Sequence, residues 1–110
     1  MTVDTEKSYR LPTHISRTLV EVTDSSRPEE ALNTVLKDYL DSKIQENREI
    51  IEDFREKWNM DFEEFKEKSK EEKLPENKKK YSREVEEDFR EWEAAITLRQ
   101  KYRRIREKLV

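Results

Sequence analysis

Paired carboxylates can work as general acid and base, and this sequence sets acids side by side at Glu29-Glu30 and Glu86-Glu87-Asp88. Such work needs two groups held at different proton affinities, with a nucleophile or a histidine in reach. The chain has one histidine, His14, and no cysteine. Thiolate catalysis, zinc–thiolate sites, disulfides and a multi-histidine metal site within one chain are therefore excluded. Glycine is absent as well, which removes phosphate-cradling loops, dinucleotide fingerprints and the strained nucleophile turn, all of which need conformations that glycine alone adopts cheaply. The acids read as surface charge. The expectation is a chain that is not an enzyme, with no catalytic residue, no metal and no cofactor. The one dense basic run, Arg99, Lys101, Arg103, Arg104, Arg106 and Lys108 against Glu107 alone, reads as a solvated helix face on which Arg99, Arg103 and Arg106 fall nearly on one side.

The elements that would position these groups are helices. Of 110 residues 46% are charged and 32% hydrophobic, and the net charge is −3. That composition fits one small domain or two subdomain-sized pieces. Its apolar residues recur at spacings of three and four, which argues against disorder. The core so built is modest, and narrow apolar stripes are normally completed by a second chain. No apolar run approaches the ~20 residues that cross a bilayer. No secretory or lipidation signal is evident, so the expected location is cytoplasmic.

Lys7 to Leu11 alternates polar and bulky residues and suits a short strand ended by Pro12. Thr13 can cap a helix carrying Ile15, Leu19, Val20 and Val22. Thr23 to Ser26 is a turn in which Asp24 can be left-handed, and Pro28 with Glu29 and Glu30 opens a long second helix. Its seam, Leu40, Ile44, Asn47, Ile51, Phe54, Trp58, is spaced 4, 3, 4, 3, 4, with Asn47 as a register-setting polar member. Asn59 can close that helix, and Asp61 with Glu64 can cap a short one carrying Phe62 and Phe65. A Lys- and Glu-rich stretch with Leu74-Pro75 follows to Lys80. Ser82 can cap the last helix, with Val85, Phe89, Trp92 and Ile96, then Leu98, Tyr102, Ile105 and Leu109. The phase slips between those two sets. This helix starts acidic and finishes basic, which suits antiparallel self-pairing or a partner of matching polarity.

Tyr9-Arg10-Leu11-Pro12 and the stretch from Ser26 to Leu40 resemble the strand ending and second helix of the ribbon-helix-helix family of DNA-binding proteins. The resemblance implies a mainly α fold in which residues 1–44 supply one short strand and two helices per chain. Two chains would pair as a homodimer with a core of Tyr9, Leu11, Leu19, Leu32, Val35, Leu36 and Leu40. It implies that Ser8 and Arg10 read operator DNA in the major groove, Arg10 by a bidentate bond to guanine, while Ser26 and Arg27 sit at phosphate. Glu6, where the groove would repel it, and Asp24-Ser25, where the family carries glycine, depart from the pattern.

Residues 45–80 would continue the long helix into a short helix and charged linker, and residues 81–110 would form a C-terminal amphipathic helix. The stretches Met60 to Phe65, Val85 to Phe89 and Glu91 to Ala94 resemble the tails of antitoxin-like proteins from prokaryotic toxin–antitoxin operons. That implies an antitoxin binding its operator as a dimer and neutralising a toxin through Trp58, Phe62, Phe65, Phe89, Trp92, Ile96 and Tyr102. Two alternatives stand beside it: a regulator of the same fold without a toxin, and an all-helical oligomeric scaffold or adaptor that does not bind DNA.

Overall fold

A computed structural model describes residues 10–71, 73–74 and 83–109. Four helices make up its regular structure: α1 Thr13–Thr23, α2 Pro28–Trp58, α3 Phe62–Lys70 and α4 Arg83–Glu107. The chain divides into two compact units, residues 1–38 and 39–110.

The strand expected before Pro12 is corrected. Among the described residues there is no strand, and Arg10, Leu11 and Pro12 are irregular. Lys7, Ser8 and Tyr9 lie outside the described residues. A strand is held by a ladder to a neighbour and by a buried face. Neither is present at Arg10 and Leu11, which are both exposed. Pro12, at φ −54° and ψ 146°, instead leads straight into helix: its carbonyl accepts from the amides of Ile15 and Ser16. Thr13 is the first helical residue rather than a cap, and no side chain caps α1. Among the described residues the fold is mainly α, without the ribbon.

In the first unit α1 has no buried residue. Leu19, Val20 and Leu32 are half-buried, Ala31 is buried, and Ile15, Val22, Val35 and Leu36 are exposed. Asp24 closes α1 in the left-handed conformation at φ 54°.

The second unit is an antiparallel pair of long helices crossed at one end by α3. Arg106 bonds Asp41 at 2.9 Å, the rings of Phe54 and Trp92 stack at 5.6 Å, and Trp58 bonds Asp88 at 2.9 Å. As α2 is followed forward α4 is met backward, so the seam expected along α2 faces this chain's own last helix. Leu40, Asn47, Phe54 and Trp58 are buried, and Ile44 and Ile51 are half-buried. Asn59, at φ 53°, ends α2 in the left-handed region. Asp61 caps α3, its Oδ1 accepting from the Glu64 amide at 2.9 Å. The core is aromatic: Phe54, Trp58, Phe65, Leu74, Val85 and Trp92 are buried together, with Phe62, Phe89 and Ile96 packed against them.

The phase slip expected in α4 does not occur. Its inner stripe runs Val85, Asp88, Trp92, Ala95, all buried, then continues through half-buried Arg99, Tyr102, Arg106 and Leu109 at the same spacing. Leu98 and Ile105, read as core, face outward at 37% exposure each. The long stems of Arg99 and Arg106 fill inner positions that a purely apolar pattern would leave blank.

Candidate functional site

The residues that sequence reasoning nominated for recognition are divided between the two units. At the start of α2, Ser26 and Arg27 are exposed, and Ser8 lies outside the described residues. Arg27 is already paired, to Glu29 at 3.1 Å and Glu30 at 3.5 Å. The Glu29 amide and then Arg27 hold the Glu29 carboxyl below its ordinary range. A helix N-terminus attracts anions through free amides and its dipole, and here two of the chain's own carboxylates stand in that field. The hydroxyl that engages this turn belongs to Ser25, which accepts from the Arg27 amide at 3.4 Å. Sequence reasoning passed over it in favour of Ser26. Arg10 is exposed.

Of the residues nominated to hold a partner through the tail, Trp58, Phe62, Phe65, Phe89, Trp92 and Ile96 are gathered in the aromatic core. Phe65 and Trp92 are fully buried, with ring centroids 5.1 Å apart. Trp58 lies 4.9 Å from Phe65, and Phe62 is 5.2 Å from Phe89 and 5.4 Å from Trp92. Ile96 packs on this cluster, and Tyr102 is half-buried further along α4. Such ring pairs add about 0.5–1.5 kcal/mol each beyond the area they bury.

One polar device is set into that core. Asp88, 7% exposed, accepts from Trp58 Nε1 at 2.9 Å and from the Lys57 ammonium at 2.5 Å. Lys57 also reaches Glu84 at 3.2 Å. The Asp88 bond, with Glu84 adding to it against the effect of burial, holds the Lys57 ammonium protonated above its ordinary value. His14 is an exposed residue of α1 in the first unit, and its carbonyl accepts from Thr18. The Asp88 arrangement ties α2 to α4 at one register.

Two exposed surfaces with apolar side chains stand out among the described residues. The first is the apolar side of the first unit, where Ile15, Val22, Val35 and Leu36 are exposed. The second is a groove of about 420 Å³ between α2 and α4, with Ile50 and Asp53 on one wall, Glu91, Ala94 and Leu98 on the other, and Asn47, Phe54 and Ala95 at its floor. The Asn47 amide donates to the Lys43 carbonyl at 2.8 Å within its own helix. Among the described residues no group of three or more His, Cys, Asp or Glu is placed to hold a metal ion, and no helix is long and apolar enough to cross a membrane.

Residues 13–110 match the Uncharacterized protein MJ0235 family, and the chain belongs to that family. This membership, together with the absence of a strand among the described residues, replaces the ribbon-helix-helix assignment. No curated protein and no solved structure matches the chain.

Proposed function

We propose that this member of the MJ0235 family is an all-helical scaffold that works by assembling with other polypeptide chains, without chemistry of its own and without reading DNA. The observation that carries this reading is α1. An 11-residue helix with no buried residue is too short to hold itself in water, because nucleation is unfavourable and isolated helices below roughly 12–15 residues are marginal. Its apolar side chains and those opening α2 are the material of a helix–helix interface left half made. Support against a DNA role comes from the start of α2, where Glu29 and Glu30 occupy the field a phosphate would use.

The test is amide hydrogen exchange on the full chain at low concentration, with anisotropy of a labelled duplex of its upstream DNA as a second arm. Amides of residues 13–23 are expected to exchange at least about a hundredfold faster than those of α4's first turns, since local opening follows sparse apolar burial. Equal protection in a dilute monomer means that the first unit is complete alone and refutes the reading. So does sequence-preferring duplex binding at moderate salt.

A further inference from the structure

α4 and the turn that follows it carry a second stripe beside the inner one: Glu87, Glu91, Ala94, Leu98, Lys101 and Ile105 on the helix and Lys108 just past its end, again spaced by four and three. Glu91, Ala94 and Leu98 of this stripe form a wall of the groove over Phe54 and Ala95. It is acidic at one end, apolar in the middle and basic at the other. The helix dipole accounts for charge only in the first and last turns. The neighbouring helix neutralises other charges, Lys57 meeting Glu84 and Asp88, and Arg106 meeting Asp41. On the second stripe, Glu91 and Lys108 have no ion-pair partner among the described residues.

We infer that a second copy of this chain docks along this stripe, α4 against α4, antiparallel and two-fold about Leu98. In that arrangement each Leu98 meets its own counterpart over the groove. Glu91 of one copy comes within a turn of Lys101 and Lys108 of the other, and Glu87 comes beside Lys108. A parallel pair would set Glu91 against Glu91 and Lys101 against Lys101, which like-charge repulsion opposes. One patch thus satisfies both ends twice, as an isologous interface must. The acids at one end disfavour a phosphate backbone on the same face. This inference rests on the assembly reading but uses a different surface from α1.

The chain has no cysteine, so a single introduced thiol reports cleanly. In the full-length protein Leu98→Cys is expected to give a covalent dimer with a short bis-maleimide, and Gln100→Cys, on the other flank of the inner stripe, is not. Sedimentation velocity is expected to show that Leu98→Glu weakens the dimer at least tenfold with helix content unchanged by circular dichroism. Lys101→Glu should weaken it too, and adding Glu91→Lys should restore it. Equal cross-linking of the two cysteine variants, or a native-like dimer in Leu98→Glu, overturns the inference. A dimer dissociated by Val22→Asp but not by Leu98→Glu overturns it while leaving the assembly reading standing.

Discussion

Replacing Asp88 by alanine removes a polar contact buried in the aromatic core. The carboxylate accepts from Trp58 Nε1 at 2.9 Å, and Trp58 is only 6% exposed. A hydrogen bond to a charged acceptor contributes about 1.5–3 kcal/mol, and an indole N–H left buried without a partner adds a penalty of about 1–3 kcal/mol. Lys57 contributes less, because its side chain is 42% exposed and returns to water when its partner is removed. The terms overlap, so the expected loss is about 3 kcal/mol. Asp88→Asn keeps an acceptor oxygen and should lose about 1 kcal/mol. Urea unfolding followed by tryptophan fluorescence and far-ultraviolet circular dichroism reads this directly: with a slope of about 1.5 kcal/mol per molar, typical of a small domain, the Asp88→Ala midpoint falls by about 2 M. In a Trp58→Phe background, which lacks the donor, the same substitution should cost at least about 1 kcal/mol less. A loss below about 1 kcal/mol, or an equal loss in both backgrounds, would refute the assignment of Asp88 as the acceptor that holds Trp58 in register.

The raised proton affinity of Lys57 sets an alkaline limit. Its folded value lies above the ordinary 10.5, so its contribution is complete below that pH and disappears as pH rises through the folded value. The gap in urea midpoint between the native chain and Lys57→Gln should be constant near neutrality and close above pH 10.5; a gap that persists there removes the ion pair as its cause. At the start of α3, Asp61→Ala removes the Oδ1 that accepts the Glu64 amide and should lower stability by about 1 kcal/mol, while Glu64→Gln, which leaves that bond intact, should change it by less than half as much.

The second helix was legible because its six inner positions keep a 4, 3, 4, 3, 4 rhythm and five of them are apolar. The C-terminal ends of α1 and α2 were legible too, since in a chain without glycine asparagine and aspartate take positive φ most readily, as at Asp24 and Asn59. α4 was misread beyond Ile96 because hydrophobicity does not register an arginine stem at an inner position, so Leu98 and Ile105 drew the stripe outward. The strand was misread because five alternating residues are a short signal, and pairing, which sequence does not display, decides whether they ladder. Nor does a seam declare its partner: Trp58, Phe65 and Trp92 have the same spacing whether they pack on another protein or, as here, on one another.

The second unit also has a direction in time. The contact between Trp58 and Asp88 joins residues 30 apart in sequence, whereas that between Arg106 and Asp41 joins residues 65 apart. The shorter closure lies at the aromatic end, where chain entropy opposes it least and the apolar reward is greatest. Folding is expected to nucleate there and zip toward the arginine-lined end. Unfolding should begin where Arg99 and Arg106 stand in the seam, so the part of α4 that lets go first is the part richest in basic residues.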